Sequence, residues 1–111
     1  MAVDINALLK QLEQGIAGIA QTSLKNYITE ARVDGKLFLT AMQDNLTNWT
    51  NELAAGQLSP ADFKDLVLGQ KDLMKMVALK QAGIAAIQLD QFKQAVFGLV
   101  IDTVMSVVKI S

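Results

Sequence analysis

Asp62 and Asp65 stand three residues apart, and no other pair comes closer to a constellation that does chemistry. Two carboxylates at i and i+3 share one face of a helix. There they can hold a cation between them or divide the roles of general acid and base. The same pair has a plainer use: at the start of a helix, carboxylates answer the partial positive charge of the unpaired N–H groups. The residues just upstream, Ser59-Pro60-Ala61, read as such a start, so the pair is assigned to the helix end. Beyond it, the catalytic alphabet is thin. The chain has no histidine and no cysteine. That removes Ser-His-Asp and Cys-His nucleophiles, thiolate zinc sites and histidine-containing metal sites. No glycine-rich phosphate-binding motif occurs. The expectation is a protein that is not an enzyme and uses no cofactor and no metal.

Charge narrows the partners. Ten Lys and Arg face eleven Asp and Glu, a formal charge of -1, with a pI near 5.2. A nucleic-acid binder needs a basic face that displaces counterions, so nucleic acid is not an expected partner. The start, Met1-Ala2-Val3-Asp4-Ile5-Asn6, carries no basic and apolar leader, and no run of about 18 apolar residues follows. The expected compartment is the cytoplasm, with secretion by a signal-less route as the alternative. Two sequons, Asn45-Leu46-Thr47 and Asn48-Trp49-Thr50, read as one polar helix face.

The elements that must position these residues are helices. Leu53-Ala54-Ala55-Gly56 reads as a helix end with a left-handed glycine. Ser59 reads as the N-cap of the next helix, Pro60 as its first residue and Asp62 as its third. Leu58 and Phe63 have the spacing of a hydrophobic staple across that cap. Before the turn, an apolar stripe runs through Ile5, Leu9, Leu12, Ile16, Ala20, Leu24, Ile28, Ala31, Gly35, Phe38, Met42, Leu46, Trp49 and Leu53. Its mean step is about 3.7 residues, close to an undistorted α-helix. Asp4 reads as the cap of this arm, with Val3 and Leu8 as a second staple. Gly15, Gly18 and the Val33-Asp34-Gly35 tract are its two expected weak spots.

After the turn, one stripe runs Phe63, Val67, Gln70, Met74, Val77, Gln81, Ile84, and another Leu89, Phe92, Val96, Leu99, Thr103, Val107, Ile110. They differ in phase, which predicts a break between Gly83 and Asp90, with Asp90 as the cap of the last helix. The predicted fold is therefore all-α and a single domain over residues 1–111: arm one about 4–55, a turn at 56–60, arm two about 60–110. This is a long antiparallel helical hairpin, kinked near Gly35 and at 83–90, that assembles into a helical bundle. Folding at the turn sets Gly15 and Gly18 against residues 97–100, and Gly35 against the region of Lys80. Size and shape resemble small secreted helical-hairpin proteins. Their Trp-x-Gly turn is replaced here by Ala54-Ala55-Gly56, so their function is not carried over.

Apolar content points to binding. Hydrophobic residues make up 51% before the 7 glycines are added, against about 45–50% for both together in ordinary domains. The surplus peaks after Ala95, where only Gln94, Asp102, Ser106 and Lys109 form a narrow polar stripe. A hairpin partner covers one side of such a helix and leaves the other for a second chain. The expected interface is Phe97, Leu99, Val100, Val104 and Val107, and the expected partner is a further copy in a dimer or larger assembly, or another protein. Trp49 and the scattered methionines Met42, Met74, Met76 and Met105 read as core. The expected function is a self-associating scaffold or adaptor. The alternative is a membrane-active amphipathic protein, soluble as an oligomer; it ranks second because Lys93 and Lys109 are the only cations beside the apolar face.

Overall fold

The Asp4 carboxylate accepts a hydrogen bond from the Ala7 N–H at 3.1 Å and so caps the first helix, as its position before the stripe predicts. The computed structural model describes residues 4–108. Five α-helices follow in order: α1 (Ile5–Ser23), α2 (Ile28–Ala54), α3 (Pro60–Leu68), α4 (Val77–Gln81) and α5 (Ala86–Val108), with a 3-10 turn at Gly69–Leu73 before α4. No strand occurs among the described residues. Val3 of the expected staple, Lys109 of the polar stripe and Ile110 of the last apolar stripe lie outside them.

The helix end at Gly56 is built as its residues dictate. Gly56 has φ +76. Its N–H donates to Leu53 O at 3.1 Å, and the Gln57 N–H donates to Glu52 O at 2.8 Å. These two bonds form the left-handed glycine motif that satisfies the last carbonyls of a helix. The Ser59 hydroxyl oxygen then accepts from the Asp62 N–H at 3.1 Å, with Pro60 opening α3. Gly83 repeats the device at φ +87, with bonds from Gly83 N–H to Lys80 O at 3.1 Å and from Ile84 N–H to Leu79 O at 3.3 Å. The break expected at 83–90 therefore sits at its start. Asp90 does not cap α5; it lies inside that helix.

Arm one is not one helix. It ends at Ser23 and restarts at Ile28, so α1 folds back along α2 and Ile16 packs onto Gly35. Neither expected weak spot breaks: Gly15 and Gly18 lie inside α1, and Gly35 lies inside α2. The break falls in Thr22-Ser23-Leu24-Lys25-Asn26-Tyr27, where Thr, Ser, Asn and Tyr all have weak helix propensity. The Leu24 N–H still reaches Ala20 O, and the Tyr27 N–H turns to Leu24 O, both at 2.8 Å. Leu24 and Ala31 stay buried on either side, so the stripe passes through the turn without losing phase.

Arm two is also resegmented. Gln70 leaves helical geometry and Met76 adopts a left-handed φ of 53. That residue resets the phase. Met76 and Leu79 turn inward, while Val77, expected in the stripe, is 48% exposed.

The result is a bundle of 42 × 23 × 21 Å, whose long dimension matches the 27 residues of α2 at about 1.5 Å each. α5 packs against α1, α2 and α3, and α4 packs against α2. Phe38 of α2 meets Phe97 of α5 edge to face, with centroids 5.8 Å apart. Leu99 lies over Gly15, and Asp34 reaches Ala78 and Leu79, whereas Gly35, expected near Lys80, meets Ile16 of α1.

The glycines differ in what they tolerate. A Cβ on Gly35 would sit 2.7 Å from Ile16 Cγ2 in a packed core. Gly35→Ala should therefore destabilise by about 1–3 kcal/mol through overpacking. Nothing lies within 4 Å of a Cβ on Gly18. There the gain in helix propensity should stabilise by about 1 kcal/mol. Urea unfolding of the two variants should move the midpoint in opposite directions. Equal shifts would mean that Ile16 does not rest on Gly35.

Candidate functional site

Asp34 is the buried carboxylate that periodicity does not reveal as more than part of a weak spot. It is 3% exposed on α2. Oδ1 accepts from the Ala78 N–H at 3.0 Å, and Oδ2 accepts from the Leu79 N–H at 2.8 Å. These donors belong to the first turn of α4, whose own preceding residue, Met76, makes no side-chain cap. Asp34 thus caps a helix more than forty residues away in sequence, and both oxygens are engaged in doing so. The signal was present: Asp34 lies three residues after Ala31 and four before Phe38, inside the buried phase. A charge at such a position needs partners inside the fold.

The carboxylates first considered for chemistry lie elsewhere. Asp62 and Asp65 are exposed on α3. Among the described residues, no group of three or more acidic side chains gathers to hold a metal ion. Asp102 is exposed, as its polar stripe predicts.

Of the five residues expected at an interface, Phe97, Val100 and Val104 are interior to the single chain, at 8%, 0% and 0% exposure. Leu99 is half-buried over Gly15, and Val107 is 39% exposed. The α5 seam is covered by α1, α2 and α3, so a partner cannot reach the three buried residues while the bundle is folded. The turn residues Gly56, Ser59 and Pro60 share a cleft with α5. With Leu53, Leu58, Met105, Ser106, Val108 and Asp102 they line a shallow apolar cleft of about 800 Å³.

A second depression runs between α1 and α2. It holds about 500 Å³ and is lined by Lys10, Glu13, Gln14, Ile16 and Ala17 from α1, and by Thr29, Arg32, Val33 and Lys36 from α2. Three of its lining residues, Ile16, Ala17 and Val33, are apolar, and three cations stand against one carboxylate. Arg32 and Lys36 lie one turn apart, where like charges repel. Val33 and, one turn on, Leu37 are exposed at 46% and 61%. The groove exists because α1 folds back on α2, so Lys10 joins the α2 cations only in the folded chain. Comparison with protein families, with curated proteins and with solved structures yields no match. The surfaces of the bundle carry the functional reading.

Proposed function

We propose that the protein is a non-enzymatic helical interaction module, a scaffold or adaptor that associates with further copies of itself. The observation that supports this reading is the strip made by Val33 and Leu37. Single exposed apolar residues are ordinary on any surface. Two of them one turn apart on the same helix face, beside a groove lined in part by Ile16 and Ala17, form a patch that gains by being covered. Complete burial of a valine or leucine is worth about 1.5–3 kcal/mol each. Part of the surplus expected on α5 is internal, while Ile87 and Val107 of that helix stay exposed; Val33 and Leu37 are the exposed pair that stands beside the α1–α2 groove.

Light scattering over a concentration series tests it. The wild-type chain should exceed its monomer mass of 12.0 kDa as concentration rises, and Leu37→Lys should hold it at the monomer while leaving the helical circular-dichroism signal intact. A wild-type protein that stays at 12.0 kDa up to millimolar concentration overturns the reading.

One observation favours membrane activity as a second reading. Among the described residues, α5 is the helix long and apolar enough to cross a bilayer, with 23 residues and a mean hydropathy of 1.2 over its best window. Six of its residues, Leu89, Phe92, Val96, Phe97, Val100 and Val104, sit in the core of the bundle, so crossing a bilayer requires α5 to leave its neighbours. The folded protein should therefore remain in the supernatant when vesicles are pelleted. Sedimentation with them favours the membrane reading instead.

A further inference from the structure

The self-association proposed above leaves open which surfaces meet, and the distribution of charge on the bundle assigns them. We propose that the outward ridge of α3 in one copy seats in the α1–α2 groove of another. This inference rests on self-association and adds its geometry.

The ridge follows from the helical period. At about 100° per residue, Asp62 and Asp65 fall on the side of α3 away from Phe63 and Val67, and Leu66 falls on the flank next to Asp62. Phe63 and Val67 are fully buried, and α3 packs against α5. Asp62 and Asp65 are exposed, and Leu66 is 37% exposed. Lys64 falls on the opposite flank. The ridge therefore offers two carboxylates one turn apart with a leucine beside them, and it faces away from its own chain.

The groove offers the complement. Arg32 and Lys36 are also one turn apart, and Lys10 reaches the same depression from α1. Glu13 is the only carboxylate on the lining, so the rim carries a net positive charge. Two carboxylates entering it relieve the repulsion between Arg32 and Lys36, and Leu66 comes down on the Val33–Leu37 strip. Apolar contact supplies the burial. The charges fix register and exclude the reverse pairing of ridge with ridge or groove with groove. Ridge and groove are different surfaces, so the contact either repeats from copy to copy or is reciprocated within a two-fold dimer.

Charge reversal with mixing tests the pairing. One variant carries Arg32→Glu and Lys36→Glu. The other carries Asp65→Lys with Asp62→Asn, which removes the first-turn charge without placing a cation at the helix start. All four side chains are exposed, so circular dichroism should match wild type. Each variant alone should associate at least about tenfold more weakly than wild type, because like charges then face each other. An equimolar mixture should regain association, since the acidic groove of the first accepts the basic ridge of the second. Added salt should weaken the wild-type assembly. If wild type associates and neither variant changes it, or if mixing restores nothing, this pairing is wrong while self-association stands. If wild type is monomeric at every concentration, self-association itself falls and this inference falls with it.

Discussion

Asp34→Ala should destabilise the protein by about 2–4 kcal/mol, measured by urea unfolding, because it strands one buried and one partly buried donor at once. The Ala78 and Leu79 N–H groups now give their hydrogens to the two carboxylate oxygens at 3.0 and 2.8 Å. A hydrogen bond to a charged acceptor contributes about 1.5–3 kcal/mol, and a buried N–H left without a partner costs its desolvation. The carboxylate also faces the positive end of α4. That helix has five residues, too few to persist without an anchor. Asp34→Asn separates the contributions. Its carbonyl oxygen can keep one acceptor role, but its amide presents hydrogens to the other N–H, so the loss should be smaller than for alanine and still above 1 kcal/mol, roughly. Amide exchange at residues 77–81 should accelerate in both variants more than in the middle of α5. If alanine is tolerated within about 0.5 kcal/mol, α4 is held by the packing of Leu79 alone.

This cap also shows where the sequence was readable and where it was not. Asp4, Gly56, Ser59 and Pro60 are legible because their chemistry is local: the first three satisfy backbone groups a few residues away, and Pro60 opens a helix where a missing N–H costs nothing. The reversal at residues 24–27 was not, because an apolar stripe reports which side of the chain is buried and not whether the axis continues. Leu24 and Ala31 face the same core across a turn, and the spacing of the stripe survives it. Weak helix formers at Thr22, Ser23 and Asn26 were the available signal. Met76 was invisible for a different reason. Its left-handed conformation serves contacts with a distant helix, bringing Met74, Met76 and Leu79 inward together and aiming two N–H groups at Asp34. The groove on α1 and α2 was missed with the reversal that builds it. In the sequence, Lys10, Arg32 and Lys36 are scattered surface charges, and only the fold-back brings Lys10 to the other two. The apolar excess of α5 was assigned to a second chain because a single hairpin covers one side of a helix. Once each arm is broken, α5 has three neighbours from its own chain, and six of its apolar residues are buried among them.

That last point sets up the largest difference expected between two neighbouring substitutions. Val104→Lys should unfold the protein, and Val107→Lys should leave it folded. Both valines lie on α5, three residues apart, and both belong to the face expected from sequence to meet a partner. Val104 is fully buried, whereas Val107 is 39% exposed. At residue 104 the substitution forfeits about 1.5–3 kcal/mol of valine burial. It also places an ammonium in the core with no carboxylate to answer it, at a further cost of several kcal/mol. Against a total stability of about 5–15 kcal/mol for a domain, little remains. At residue 107 the lysine stem can lie along the helix and keep its charge in water, so stability should change by about 0.5 kcal/mol or less. Circular dichroism with thermal melting reads both outcomes directly. The result that would overturn this picture is a Val104→Lys protein that keeps its helix and melting temperature and changes only its molar mass. Val104 would then face a second chain, and α1, α2 and α3 would not enclose α5 as they do in this bundle.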